Sequence, residues 1–359
     1  MFDTPTMKNQ IESLQGLRAY AALAVILVHA KFLLPGGVSV GALGVHVFFV
    51  ISGFIMAHIC VTNPSQFLRR RIARIVPPYW AITLIVFLFA WMAPAYVHTT
   101  TADPVNLLKS LFFVPYMKES GVIQPVLYVG WSLNWEMMFY VLVSVALCVT
   151  RRYASLLGAC LVAILWLLST LLRQPGDVLL RFYSIPIGLE FLLGAIAYEV
   201  YSRADASKLA RWQGPLLFCV LGSMVALFLV EWLLQGTLMF VSLAAFAFLA
   251  VCSATLLSAT GRDLKDKRLI AIGDASYIIY LIHPFCISFL EKVASGRLKF
   301  LAPDHIVGLM ISLCLVAAIS CAIHVYIELP SYRKIRRLIE RKTTSPQHAA
   351  LSPGKARRT

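Results

Sequence analysis

Two polar residues interrupt the first apolar segment of the chain, Arg18 near its beginning and His29 near its end. Eleven residues separate them, so in an α-helix both side chains project from nearly the same face, about 16 Å apart along the axis. An arginine at the membrane edge could bind an anion, and a histidine deeper in the bilayer could exchange protons. Either residue alone could instead be structural. Their shared face favours a functional site.

Four arginines follow the second apolar segment, in the stretch FLRRRIARIVPPYW. Guanidinium groups bind phosphate through paired hydrogen bonds, so this cluster could hold a phosphorylated ligand. Arg71 and Arg74 are about one helical turn apart and adjoin the next apolar segment, so we predict that they face a site. Arg69 and Arg70 are explained equally well by the ordinary excess of basic residues in cytoplasmic loops.

Two later apolar segments carry further polar groups, in the stretches WSLNWEMMFY and SYIIYLIHPF. Glu136 shares a helix face with the hydroxyl residues four positions to either side. A carboxylate in lipid is costly unless it has a partner, so Glu136 is either catalytic or part of a structural ion pair. We predict that the residues lining an acceptor site or cavity are Ser52, Ser132, Tyr140, Tyr280 and His283.

The composition indicates the environment of these groups. Hydrophobic residues make up 59% of the 359 residues and charged residues 14%, which is typical of a polytopic membrane protein. The formal net charge of +15 does not indicate nucleic-acid binding, because the basic residues cluster in short loops and in the C-terminal tail. The eight cysteines contain no CxxC pair, and no metal-ligand cluster or G-x-S-x-G sequence is present, so we expect no metal site and no serine-hydrolase chemistry.

Ten segments are apolar over about the 20 residues that one crossing requires. They predict an all-α transmembrane bundle of about ten helices. Most lysines and arginines fall on one side of this arrangement, which places both termini in the cytoplasm. We divide the chain into a cytoplasmic leader at 1–13, a ten-helix domain at 14–330 and a basic, partly disordered cytoplasmic tail at 331–359. The segments lie near 14–34, 41–60, 75–96, 127–149, 153–172, 181–201, 212–232, 238–258, 270–293 and 304–328.

The sequence motifs of the chain, taken in order, resemble those of the acyltransferase 3 family of bacterial integral membrane O-acyltransferases. They are most similar to those of its exopolysaccharide-modifying, ExoZ-type members. The resemblance covers about residues 11–335. It begins with the Arg-x10-His of Arg18 and His29 and includes the R-x2-R of Arg71 and Arg74. The remaining elements are the G-x3-FF-x2-SG of 44–53, WSLNWEMMFY around Glu136, SYIIYLIHP through His283 and IELP at Glu328.

The resemblance implies a multi-pass protein of the bacterial inner membrane that moves an acyl group, usually acetyl, from cytosolic acyl-CoA to a sugar hydroxyl. Acyl-CoA would be a co-substrate, and no cofactor would be bound permanently. The acceptor would be a polysaccharide or a lipid-linked oligosaccharide, and membrane lipid and polysaccharide-assembly proteins are the other expected partners. The sequence carries no extra periplasmic hydrolase-like domain of the kind that some relatives have, so we expect transfer to be completed in the bundle or by a partner.

In this interpretation Arg18, Arg71 and Arg74 bind the donor, and His29 is either a general base or a transient acyl carrier. Glu136 would orient the imidazole or hold the sugar. The alternative is a proton-coupled transporter of an anion or a lipid-linked sugar, which explains the deep polar residues equally well but not the arginine cluster. A signalling or scaffold protein would need neither deep histidine.

Overall fold

The computed structural model describes residues 11–30, 43–93, 101–295 and 298–343. Within these ranges the chain forms helices and turns and no β-strand, which confirms the all-α prediction. Helices are favoured because a long apolar segment can satisfy all its backbone hydrogen bonds internally. The helices are α1 (Glu12–His29), α2 (Leu43–Thr62), α3 (Phe67–Met92), α4 (Pro104–Leu111), α5 (Trp131–Ala146), α6 (Ala154–Leu172), α7 (Val178–Tyr183), α8 (Glu190–Ser202), α9 (Ala206–Leu209), α10 (Gln213–Leu233), α11 (Gly236–Ala259), α12 (Lys267–Asp274), α13 (Ser276–Ala294), α14 (Ile306–Ile323) and α15 (Leu329–Thr343).

Among the described residues, seven helical segments are long and apolar enough to cross a membrane. They contain α2, α3, α6, α10, α11, α13 and α14. The other three predicted segments contain α1 with 18 residues, α5 with 16 and α8 with 13, none of which has both the length and the mean hydropathy of a crossing. The helical membrane-protein class is therefore confirmed, whereas a count of ten crossings does not follow from length and composition.

Two of the predicted segments differ in detail from the observed helices. The segment near 181–201 is interrupted after α7, because a short 3-10 turn at Pro186–Leu189 precedes α8, and a proline lacks the backbone N–H that a continuous helix needs. The last segment continues beyond α14 through a π-helical turn at His324–Glu328 into α15. The predicted start of the tail at residue 331 therefore falls inside a helix. Residues 1–10 and 344–359, which include most of the predicted leader and the end of the tail, lie outside the described residues.

A shorter helix lies between α3 and α5. Asp103 caps the start of α4 by accepting hydrogen bonds from the backbone N–H groups of Val105 and Asn106. The indole N–H of Trp80 on α3 donates to the carbonyl of Leu111, the last residue of α4, at 2.8 Å. With eight residues, α4 is too short to span the bilayer.

Helix α2 is largely buried and packs against α1, α8 and α11. Its contact with α8 is close because both helices place a glycine there. A Cβ atom on Gly53 would lie 2.2 Å from the carbonyl oxygen of Phe191, and one on Gly194 would lie 2.0 Å from that of Val50. Small residues allow this backbone approach in membranes. The interpretation of Gly53 as a packing residue agrees with this geometry.

The start of α1 is held by a residue from a distant loop. The carboxylate of Asp263, which follows α11, accepts hydrogen bonds from the backbone N–H groups of Glu12 at 3.1 Å and Ser13 at 2.6 Å. It also accepts from the hydroxyls of Ser13 and Ser258. These are N–H groups of the kind that lack partners at a helix start, so Asp263 acts as a cap for the helix that carries Arg18.

We expect Asp263→Ala to lower the free energy of unfolding by about 1 kcal/mol, the usual effect of losing a helix cap. The effect should depend on pH. Burial raises the pKa of Asp263, but the hydrogen bonds from Ser13, Ser258 and Leu264 outweigh it and hold the pKa below its usual value. The stabilisation is therefore complete above about pH 4, the range of an unfolded aspartate, and is lost as the pH falls through the lowered pKa of the folded protein.

Thermal unfolding of the purified protein in detergent, followed by tryptophan fluorescence, checks this expectation. The wild type and Asp263→Ala should differ at pH 7 and converge below about pH 4. A difference that persists unchanged well below about pH 4, where Asp263 is protonated, would contradict the role of the ionised carboxylate as the cap.

Candidate active site

One cavity contains most of the residues selected from the sequence. It encloses about 820 Å³ of empty space, part of which is open to solvent, between α1, α2, α3, α5, α8 and α13. Eight of the predicted site residues line it: Arg18, Ser52, Arg71, Arg74, Ser132, Glu136, Tyr140 and Tyr280. The rest of its wall is mainly apolar and aromatic: Val45, Phe48, Phe49, Ile51, Ile55, Met56, Ile75, Leu133, Phe191, Ser276 and Tyr277.

Three guanidinium groups make part of the cavity wall cationic. Arg18 donates a hydrogen bond to the side-chain oxygen of Gln15 at 3.2 Å and lies within electrostatic range of Arg74. The Nε of Arg71 is buried and has no hydrogen-bond partner among the described residues. Like charges this close repel one another, so an anion between them would be stabilised. The arrangement can hold a phosphate.

Glu136 is the carboxylate of the cavity. Its Oε1 accepts hydrogen bonds from the hydroxyl of Ser52 on α2, at 3.3 Å, and from that of Tyr140 one turn further along α5. Glu136 and Tyr140 are brought together by helical spacing, whereas Ser52 is supplied by the packing of α2 against α5. Because both donors bond to one oxygen, Oε2 stays available to a ligand.

Ser132 and Tyr280 join α5 to α13 at the wall of the same cavity. The hydroxyl of Tyr280 donates to the carbonyl oxygen of Val129 at 2.7 Å, and this uses its one proton. The hydroxyl of Ser132 lies 2.8 Å from that of Tyr280 and 3.4 Å from the same carbonyl oxygen, so Ser132 is the donor of the pair when Tyr280 donates to Val129. The pair fixes the position of the Tyr280 ring.

His29 and His283 lie together but are not among the residues that line the cavity. Their ring centroids are 4.7 Å apart, and the ring of Tyr280 is 6.0 Å from that of His283. The Nδ1 of His29 is 2.9 Å from the carbonyl oxygen of Val25, and that of His283 is 2.8 Å from the carbonyl oxygen of Tyr280. A carbonyl accepts only, so each Nδ1 carries the proton and each Nε2 is the basic nitrogen.

Glu136 makes no hydrogen bond or ion pair with His29 among the described residues. The carbonyl of Val25 orients the imidazole instead. Of the two roles considered for Glu136, holding a substrate hydroxyl fits this geometry better than orienting His29. Tyr280 connects the two groups, since it lines the cavity and its ring centroid is 6.0 Å from that of His283.

Two polar residues that the sequence left unpaired form a buried pair away from the cavity. His46 is 0% exposed, and its Nδ1 bonds to Oε1 of Glu190 on α8, which is 1% exposed. No spacing within either segment could have joined residues 144 positions apart. The histidine and the carboxylate bond to each other in a helix interface through one atom each, while Nε2 of His46 and Oε2 of Glu190 are buried without a hydrogen-bond partner among the described residues.

The described residues contain no group of three or more His, Cys, Asp or Glu side chains placed to hold a metal ion. The cysteines are free thiols. The polar groups that line or adjoin the cavity are arginines, a carboxylate, hydroxyls and imidazoles.

The helical fold and this cavity define a polytopic membrane protein with a cavity lined by arginines, a carboxylate and hydroxyl groups. Residues 11–325 match the model of the acyltransferase domain called Acyl_transf_3. The chain belongs to this family, and it is an O-acyltransferase.

Curated relatives show what the chain resembles. It is 36% identical over 280 residues to the exopolysaccharide production protein ExoZ of Rhizobium meliloti strain 1021, covering 74% of this chain and 83% of ExoZ. It is 28% identical to the putative peptidoglycan O-acetyltransferase YrhL of Bacillus subtilis strain 168, covering 96% and 60% of the two chains. It is 26% identical to the peptidoglycan O-acetyltransferase OatA of Listeria monocytogenes EGD-e, covering 77% of this chain and 49% of OatA. The chain thus spans less than two thirds of the length of each of the two peptidoglycan enzymes. No solved structure gives a significant match.

Proposed function

We propose that this enzyme transfers an acetyl group from acetyl-CoA to a hydroxyl of an exopolysaccharide or cell-surface sugar, or of its lipid-linked precursor. The observation that carries the proposal is the grouping of Arg18, Arg71 and Arg74 with Glu136 in one cavity. Guanidinium groups can bind the phosphates of such a donor, and the carboxylate and hydroxyls beside them can bind a reacting hydroxyl. The similarity to ExoZ, named as an exopolysaccharide production protein, favours a polysaccharide acceptor.

The orientation in the bacterial inner membrane follows from charge. We propose ten crossings with both termini in the cytoplasm, because most of the lysines and arginines then lie on the cytoplasmic side. Basic helix α15 packs against α3, and Arg70 of α3 forms an ion pair of 3.8 Å with Glu340 of α15. This contact supports placing the arginine cluster on the same side as the C-terminal helix. The donor would then enter from the cytosol.

The cavity supports a path for the donor arm. The phosphates would lie near the guanidinium groups, and the arm would pass the apolar side chains of Ile55, Phe48 and Phe49, all on the cavity wall. The thioester would then lie near Ser52 and Glu136. The apolar part of such an arm fits the apolar part of the cavity wall, and the polar side chains would fix its orientation.

In the proposed reaction His29 is the general base. Its Nε2 removes the proton of the acceptor hydroxyl while the acceptor oxygen attacks the acyl carbonyl. The ester C–O bond forms as the C–S bond of the thioester breaks, and the proton passes from His29 to the departing thiolate. A two-step version, in which Nε2 first takes the acyl group, uses the same tautomer. Both versions need the donor to reach past Tyr280, the residue that links the cavity to the histidine pair.

Binding of radiolabelled acetyl-CoA to the purified protein in detergent tests the donor. We expect Arg71→Ala to weaken binding about 10- to 100-fold, the effect of one charge-assisted contact to phosphate. Arg151→Ala is the matched control, because Arg151 is an exposed arginine in a different loop. Wild-type protein that binds no acetyl-CoA would exclude the proposed donor and favour the transporter alternative.

The proposal that the acceptor is an exopolysaccharide can be tested in cells. Nuclear magnetic resonance spectra of the exopolysaccharide from a strain that lacks the gene should lose acetyl signals, and the wild-type gene should restore them. Unchanged acetylation in the deletion strain would contradict the proposed acceptor.

A further inference from the structure

Arg70 differs from its neighbour Arg69 in a way that charge bias in loops does not explain. Arg69 is exposed, whereas the side chain of Arg70 is only 14% exposed. The Nε of Arg70 is buried and makes no hydrogen bond to any described residue. Buried N–H groups without partners are rare and call for an explanation. A bound anion would supply the missing acceptor.

The partner that Arg70 does have is shared. Its guanidinium is 3.8 Å from Oε1 of Glu340, too long for a hydrogen bond, while Nε of Arg336 donates to the same oxygen at 2.8 Å. Two arginines from α3 and α15 thus converge on one carboxylate. The group keeps one excess positive charge, and several of its N–H donors remain available.

This group adjoins the cavity described above. Arg71, the next residue of α3, lines the cavity and also has a buried Nε without a partner among the described residues. Tyr332 of α15 is within electrostatic range of both Arg71 and Arg336. The α3–α15 arginine group therefore lies beside the cationic end of the cavity and is separate from its lining.

We propose that Arg70 and Arg336 form a second phosphate subsite, which takes a phosphate monoester of the donor. This inference rests on the proposed function, in which the donor is acetyl-CoA. Coenzyme A carries a diphosphate in line with its arm and a separate 3′-phosphate on its ribose. The diphosphate would follow the arm to Arg18, Arg71 and Arg74, and the 3′-phosphate would remain between α3 and α15. Glu340 occupies the position of that phosphate in the absence of donor.

The experiment compares acetyl-CoA with acetyl-3′-dephospho-CoA, using radiolabelled binding to the full-length protein in nanodiscs. We expect Arg70→Ala to weaken binding of acetyl-CoA about tenfold. The same variant should leave binding of the dephospho donor within about twofold, because that donor lacks the group that Arg70 contacts. Arg69→Ala is the matched control and should change neither. Since each variant is tested with two donors, a folding defect would show as an equal loss for both.

Glu340→Gln gives an independent result. It removes the carboxylate that competes for the two guanidinium groups, so binding of acetyl-CoA should become tighter while binding of the dephospho donor stays the same. If Glu340→Gln weakens acetyl-CoA binding, the carboxylate supports the site instead of competing for it, and the inference is wrong.

A lipid phosphate has related chemistry and is distinguished by the same comparison. Nanodiscs of phosphatidylcholine and of phosphatidylglycerol separate the sources. If Arg70→Ala reduces binding of both donors equally, and only in the anionic nanodiscs, Arg70 contacts lipid and the subsite proposal fails. If the wild type binds both donors and Arg70→Ala does not weaken acetyl-CoA binding more than binding of the dephospho donor, this inference alone is wrong. Failure of the wild type to bind either donor would overturn the proposed function.

Discussion

Replacing His29 with alanine is expected to reduce acetyl transfer by about 10²- to 10⁴-fold, the range for loss of a general base. The reason is geometric. The carbonyl of Val25 accepts a hydrogen bond from Nδ1–H of His29, so Nε2 is already the unprotonated, basic nitrogen. The alanine variant lacks this base. The protein should reach normal levels in the membrane, because His29 is partly exposed and its removal leaves no buried charge unpaired. Acetyl transfer to the isolated polysaccharide, with protein amount determined by immunoblot, measures the effect.

His58 is the matched control for this variant. It also lies in a helix that spans the membrane and is partly buried, and its recorded contact is with the ring of Tyr198, away from the cavity. His58→Ala should therefore retain activity. If His29→Ala transfers acetyl at the wild-type rate, neither version of the proposed mechanism holds. Acid-quenched protein that carries acetyl label in the absence of acceptor would select the two-step version.

Glu136→Gln is expected to lower kcat by about 10²- to 10³-fold, since removing one preorganised charged group from an active site has effects of this size. Glutamine is the informative substitution because its carbonyl can still accept from Ser52 and Tyr140. The negative charge is lost, and the free oxygen becomes an N–H2 donor. Steady-state rates at saturating acetyl-CoA separate kcat from KM, and we expect the loss mainly in kcat.

Tyr140→Phe provides the comparison. It removes one hydrogen bond to Glu136 and leaves the one from Ser52, so the loss should be about tenfold. Should Tyr140→Phe cost more than Glu136→Gln, Glu136 would serve mainly to position the tyrosine, and the carboxylate would not be the group that meets the acceptor.

Some of the site could be predicted because helical geometry is local. Ser132, Glu136 and Tyr140 are spaced by four residues on α5, and all three line the cavity. The same rule fails for Arg18 and His29, which share a face of α1 although only Arg18 lines the cavity. A face meets different neighbours at different depths, and those neighbours come from distant parts of the chain.

Distant packing also explains what the sequence did not reveal. Arg69 and Arg70 have the same side chain and adjacent positions, and what distinguishes them is a helix about 270 residues later that covers one of them. The pairing of His46 with Glu190 has the same origin, since it depends on the close approach of α2 and α8. Conversely, the prolines near the predicted sixth crossing did carry a local signal, because Pro186 starts the turn that divides it.

The direction of the hydrogen bond between Ser132 and Tyr280 has a consequence for how two substrates are told apart. Since Ser132 gives its proton to Tyr280, its oxygen turns only lone pairs toward the cavity. That part of the wall attracts an alcohol, which has a proton to offer, and disfavours the carbonyl oxygen of a thioester, which has none. The guanidinium side of the cavity has the opposite polarity. The acceptor hydroxyl would thus be held at the wall formed by Ser132 and Tyr280, the part of the cavity that lies next to the histidine pair.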